Sequence, residues 1–212
     1  MTIQSAYNDW SQTYDSDPNA TRDLDQTVLE RTFGQAHFDS IIEAGCGTGK
    51  NTELLSRLGG KVLALDFSAG MLAQAKAKLG HRPNVTFAVA DLTQRWPCPD
   101  RSANLVTCNL VLEHIRDLSP VFSEAARVLV PGGTLFISEL HPFRQYGGKV
   151  ATYQRGGQTT EIPAFIHHIS DFLQAGQTNN FALKSLQEWC HEKDQGKPPR
   201  LVSFLLERAA LQ

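Results

Sequence analysis

The sequence predicts an α/β fold, with a mostly parallel sheet covered by helices on both faces. Three observations predict it. Short apolar runs that do not alternate with polar residues recur at 39–44, 61–66, 85–90, 104–109 and 134–139, with helix-patterned stretches between them. Strands buried on both faces read this way. A glycine turn, IIEAGCGTG at 41–49, joins the first run to the helix pattern that follows. Polar or turn residues (Gly45, Asp66, Asp91, Asn109, Glu139) close one run after another. In such sheets ligands sit beyond the carboxyl ends of the strands.

The elements follow in order. Tyr7, Trp10 and Tyr14 recur at spacings of three and four, which places three aromatics on one helical face. Asp17-Pro18 breaks that pattern, and a second helix covers 22–33. The first helix after the glycine turn runs over 50–58 and ends at Gly59-Gly60. Ser68 caps a helix over 69–79 that stops at Gly80. WPCPDRSA (96–103) is a turn, and a helix over 117–129 stops before Pro131-Gly132-Gly133. After Pro142 the rhythm changes. Residues 143–167 hold Gly147-Gly148, Gly156-Gly157 and Pro163, too long a stretch for an ordinary connection of about 4–6 residues. A helix over 170–175 ends at Gly176, and strands over 181–189 and 201–209 close the chain. The chain of 212 residues suits one domain, 1–212, with 1–33 as a helical cap and 143–170 as a candidate substrate lid.

Gly45, Gly47 and Gly49 let backbone approach a ligand, and Asp66, 21 residues after Gly45, is placed to accept hydrogen bonds from both hydroxyls of a ribose. A dinucleotide fingerprint wants glycine at its sixth position, which is Lys50 here. A phosphate loop wants one more residue between Gly45 and Gly49, and a hydroxyl where Asn51 stands. On spacing alone an NAD-type site and a ligand-free turn remain alternatives to another nucleoside ligand.

The GxGxG turn preceded by Glu43 resembles the first motif of the class I S-adenosylmethionine-dependent methyltransferases, specifically the small-molecule, type 11-like group. Asp91 in VTFAVADLT, Asn109 in ANLVTCNLVLEHI and the glycine turn in RVLVPGGTLFISELHP extend the resemblance over residues 35–142. It implies a Rossmann-like, seven-stranded, mostly parallel sheet with an antiparallel last strand. It implies S-adenosyl-L-methionine as cofactor, with Glu43 near the methionine ammonium and Asp66 on the ribose. Gly45, Cys46, Gly47 and Gly49 pass beneath, Cys46 with no chemical role of its own. Phe67 and Met71 lie against the adenine, Asp91 and the Leu92 N–H bond it, and Asn109 and Leu110 line the sulfur side. The aromatic N-terminal face folds over the cofactor, with Tyr14 or Arg22 meeting the methionine carboxylate.

The resemblance is nearly silent on the methyl acceptor. An O, N or C nucleophile of a small metabolite is expected. A protein or RNA methyltransferase and a non-catalytic cofactor-binding domain are the alternatives. NLVL (109–112) stands where enzymes acting on adenine or glutamine amino groups carry a DPPY- or NPPY-like tetrapeptide. His141, His167 and His168 are the candidate catalytic residues, because histidine moves protons near neutral pH. No tight histidine spacing marks a metal site. Net charge is −2, and the densest basic group, Arg127, Arg144, Lys149 and Arg155, is no nucleic-acid stripe. No apolar run approaches membrane-spanning length, and no signal peptide opens the chain. Four cysteines (46, 98, 108, 190) without CxxC spacing suit a cytoplasmic protein, a monomer or homodimer.

Overall fold

The computed structural model describes residues 2–148, 150–155 and 158–210; Lys149, Gly156, Gly157 and the side chains of Gln154, Arg155 and Gln158 lie outside the described residues. Seven strands form one sheet: β1 Phe38–Ala44, β2 Gly59–Asp66, β3 Val85–Val89, β4 Ala103–Asn109, β5 Leu129–Leu140, β8 Phe181–Trp189 and β9 Leu201–Arg208. Their order is β3-β2-β1-β4-β5-β9-β8. β9 runs antiparallel to both β5 and β8, and the pairs from β3 to β5 are parallel. The chain enters the sheet at β1 and winds out both ways, so the switch point lies between β1 and β4, where such sheets open a ligand crevice.

Adjacent residues of a strand face opposite sides, and the two core layers divide accordingly. Ile41 packs with Leu24, Val28 and Leu29 of α2 (Ala20–Phe33) and with Leu54 and Leu55 of α3 (Lys50–Leu58). Ile42 packs on the other face, with Phe122 and Ala125 of α5 (Ser119–Val128) and Phe172 of α7 (Ile169–Thr178). Each such side chain, fully buried, contributes about 1.5–3 kcal/mol. This double burial is why the strands carry continuous apolar runs.

Several boundaries differ from the sequence expectation. β5 starts at Leu129, because Pro131 and Gly132 remain in the strand where pairing with β4 shifts register. α7 continues past Gly176, whose Cβ position lies 3.3 Å from Leu206 Cδ2, so only glycine fits without adjustment. Segment 143–167 contains α6 (Pro142–Tyr146) and an antiparallel hairpin, β6 (Thr152–Arg155) with β7 (Gln158–Glu161).

The N-terminal helix α1 (Ile3–Trp10) ends before Tyr14, yet the Trp10 and Tyr14 rings still meet, 4.6 Å between centroids. α1 lies on α4 (Ala69–Leu79) and on the hairpin through a small separate core of Ala6, Trp10, Met71, Tyr153 and Ile162. The Trp10 and Tyr153 rings stack there, 5.5 Å apart. Arg127 is bound to Glu124 and Asp100, and Arg144 to Asp194, so neither stands as part of an open basic patch. Among the described residues no helix is long and apolar enough to cross a membrane.

Candidate functional site

A cavity of about 300 Å³ opens at the carboxyl ends of β1, β2 and β4. Its floor is the glycine turn. The Gly45 and Cys46 N–H groups both donate to the Leu65 carbonyl, which ties the turn to the end of β2 (2.8 Å each). Gly45 has φ +84°, and its Cβ position lies 2.2 Å from Val111 Cγ2, so the turn after β4 presses against it. Gly47 has φ +53° with nothing within 4 Å of its Cβ position. The first glycine is therefore required by packing, and the second leaves open space above the backbone. Gly49, outside the cavity lining, is the left-handed N-cap of α3 at φ +87°.

Asp66 ends β2. Its two carboxylate oxygens accept the Gly47 and Ser68 N–H groups (2.8 Å each), which fixes the side chain across the cavity rim. Burial raises its pKa to about 6 against those bonds. Asp91 Oδ1 accepts from the Thr93 N–H and hydroxyl. Glu43 Oε2 accepts from the Thr52 hydroxyl (2.5 Å), and burial, reinforced by the charges of Asp66 and Asp25, lifts it to about 8. Cys46, Phe67, Met71, Leu92, Asn109, Leu110, Tyr14 and Arg22 also line the cavity.

The N-terminal segment covers these same loops. Asn8 Oδ1 accepts from the Ser68 hydroxyl and Gly70 N–H, Gln4 donates to the Phe67 carbonyl, and Asp15 accepts from Thr48 and Lys78. Arg22 donates to the Tyr14 and Asp17 carbonyls and lies 3.9 Å over the Tyr14 ring.

The three histidines singled out from the sequence stand apart from the cavity lining. His141 Nε2 meets the Glu188 carboxylate at 2.8 Å, and its Nδ1 accepts the Phe143 N–H. His167 Nε2 donates to the Leu112 and Ile115 carbonyls (3.1 and 2.8 Å). His168 Nδ1 meets the Tyr146 hydroxyl at 2.7 Å. Each ring anchors a segment.

A different histidine lines the cavity: His114. Its Nδ1 lies 3.0 Å from the Pro163 carbonyl, which only accepts, so Nδ1 carries a proton. In the neutral ring Nε2 then accepts from the Tyr7 hydroxyl, 2.7 Å away. Burial raises the Tyr7 phenol well above its ordinary value, and the charges of Tyr14, Glu113 and Asp66 raise it further. Asp25 was also not singled out. It accepts from Asn51 and Asn109 (2.8 Å each), and burial raises its carboxyl. Its signal was present, since it interrupts the apolar face formed by Leu24, Val28 and Leu29. His114 gave none.

The arrangement fits a nucleoside-bearing ligand. Asp66 stands at the end of the second strand, Gly47 leaves room over the turn, and no protein acceptor among the described residues meets the Leu92 N–H. Among those residues no group of three or more acidic, histidine or cysteine side chains is placed to hold a metal ion.

Residues 42–137 match the family model described as a methyltransferase domain. A malonyl-[acyl-carrier protein] O-methyltransferase of Yersinia pestis is 32% identical over 82% of this chain, and the chain spans 60% of that relative's length. A demethylmenaquinone methyltransferase of Tropheryma whipplei is 26% identical over 86% of this chain and 70% of its own. Among solved structures, the N-methyltransferase NodS of Bradyrhizobium japonicum, in complex with S-adenosyl-L-homocysteine, superposes with a TM-score of 0.74, covering 99% of this chain and 100% of NodS at 13% identity.

Proposed function

We propose that this chain, a class I S-adenosylmethionine-dependent methyltransferase by fold and family match, transfers the methyl group of S-adenosylmethionine to a nucleophile on a small metabolite. One observation carries the reading: a fixed acid, Asp66, and an unobstructed glycine, Gly47, face one cavity at the switch point.

S-adenosylmethionine supplies a methyl group already activated by its sulfonium, so the protein's task is placement and exclusion of water. Asp66 holds the ribose hydroxyls, and Asp91 with the Leu92 N–H holds the adenine. Phe67 and Met71 cover the adenine. Glu43 and Asp25 face the methionine ammonium, with Asn109 and Leu110 along the sulfur side. Arg22, held by two backbone carbonyls, presents the rest of its guanidinium to the carboxylate. Residues 1–22 and the 141–170 segment enclose the acceptor, within one domain. His167 seats the turn that carries His114, while His141 and His168 anchor the lid. The unpaired thiols suit a cytoplasmic setting.

Calorimetric titration with S-adenosylhomocysteine and with NAD tests the reading. The first binds and the second does not. Asp66→Ala weakens the first by about 1.5–3 kcal/mol, the worth of hydrogen bonds to a charged group. NAD binding without any response to S-adenosylhomocysteine would sink the proposal.

A further inference from the structure

We infer that the methyl acceptor is an amine, received as its ammonium form in an aromatic recess around Tyr7 and deprotonated by His114 through the Tyr7 hydroxyl. The inference rests on the methyl-transfer reading and names the acceptor class for that site.

The recess is lined by aromatic rings that pack on one another at tilted and edge-on angles. The Tyr7 centroid lies 6.1 Å from that of Phe67, 6.5 Å from that of Tyr14 and 5.3 Å from the His114 ring. All four line the cavity. Ring faces attract ammonium groups, and several together form a cage for one.

The charge around the recess has the matching sign. Glu113, buried behind it, places Oε1 3.7 Å from His114 Nε2. The cavity has two cationic side chains in its lining, Arg22 and Lys50, and both are committed elsewhere. Arg22 is held by the Tyr14 and Asp17 carbonyls, and Lys50 is paired with Asp23 at 2.5 Å. An acceptor carboxylate or phosphate on the His114 side of Tyr7 would therefore be desolvated against rings and an acid, because the free edge of the Arg22 guanidinium lies over Tyr14 and is given to the methionine carboxylate. An ammonium beside Tyr7, Phe67 and His114 meets aromatic rings and the Glu113 carboxyl. A neutral alcohol meets the hydrogen bonds and forgoes the charge.

His114 supplies the remaining requirement. An ammonium has no lone pair and must lose a proton before it can attack. His114 lines the cavity, and the Tyr7 hydroxyl donates to its Nε2. Pro163 fixes the ring by holding the Nδ1 proton. The ammonium N–H gives its proton to the Tyr7 oxygen as the Tyr7 hydroxyl passes its own proton to Nε2. The freed nitrogen pair then forms the N–CH₃ bond, while the C–S bond breaks and its electron pair passes to the sulfonium sulfur. The product is an N-methylammonium ion, and His114 returns its proton to solvent.

The test uses protein saturated with S-adenosylhomocysteine and three probes of one shape: benzylamine, benzyl alcohol and benzoate. Calorimetry or a thermal-shift titration reads their affinities. Benzylamine binds at least ~10-fold more tightly than benzoate and ~3-fold more tightly than the alcohol, the scale of a partly desolvated cation on ring faces. Tyr7→Leu brings the amine-to-benzoate ratio below ~3, and Tyr7→Phe, which keeps the ring face, retains most of it. The ratio is read within one variant, so a general loss of affinity does not mimic the result. Amine binding equal to or weaker than that of benzoate or alcohol, including none at all, overturns the inference. Failure of S-adenosylhomocysteine itself to bind overturns the methyl-transfer reading instead.

Discussion

Two glycines two residues apart in one turn answer to different constraints, and alanine at each separates them. At Gly45 alanine must hold a left-handed backbone, costing about 1–2 kcal/mol. Its Cβ also lands 2.2 Å from Val111 Cγ2, so the turn and the β4 exit must part. Overpacking of that kind costs about 1–3 kcal/mol. The sum is about 2–5 kcal/mol, or a melting temperature lower by about 4–20 °C for a chain of this size. At Gly47 alanine meets nothing within 4 Å, so only the backbone share applies to the fold. Its methyl group instead occupies the space over the turn, and S-adenosylhomocysteine affinity falls at least ~10-fold, about 1.4 kcal/mol. Thermal unfolding and calorimetry of both variants measure this. Adding Val111→Ala to Gly45→Ala completes a double-mutant cycle, with a favourable coupling of about 1–3 kcal/mol as the clash is removed. Equal loss of stability at the two glycines, or no coupling to Val111, would refute the reasoning.

Other outcomes follow from buried groups. Glu139 accepts the Val111 and Leu112 N–H groups with Oε1, has no partner for Oε2 among the described residues, and is raised by burial from 4.5 to about 8. The native protein therefore keeps a proton that the unfolded chain releases, so this group's contribution to stability declines as pH rises from about 4.5 to 8. Glu139→Gln flattens that decline in melting curves taken from pH 5 to 8; an unchanged slope argues against it. Asp194, held near a pKa of about 2 chiefly by Arg200 and also by Arg144, clasps the loop before β9 to α6. Asp194→Ala lowers stability by about 2–4 kcal/mol in urea unfolding, since it leaves two arginines with only neutral partners, the Pro198 and Pro199 carbonyls and the Thr21 hydroxyl; a loss below about 0.5 kcal/mol would mean solvent replaces the clasp. His168→Ala, which removes the contact to Tyr146 at the start of α7, leaves S-adenosylhomocysteine affinity within ~2-fold by calorimetry, about 0.4 kcal/mol. A larger loss would place His168 in the cofactor site.

The part of the cavity lining at the ends of β1 and β2 and just past β3 was legible because sheet polarity does most of the placing. Once the runs at 39–44, 61–66 and 85–90 are taken as parallel strands, whatever follows each one lies on the same edge, and Glu43, Asp66 and Asp91 need no further information. The rest of the lining depends on a turn with no sequence flag. After Asn109 the chain reverses through Leu110 at φ +56°, a left-handed conformation that glycine usually marks and that costs about 1–3 kcal/mol in another residue. That reversal carries Val111 under Gly45 and brings His114 and Ile115 to the cavity. It is held by the Leu110 N–H on the Ser138 carbonyl and by the Glu139 carboxyl on the next two N–H groups. Glu139 stands at a strand's carboxyl end like the acids that line the cavity, yet it supports the turn from outside that lining. Position along a strand is readable from the sequence. Whether the side chain reaches the crevice or braces the loop beside it depends on strand pleat and on the path of the next turn, and here a leucine hides that path.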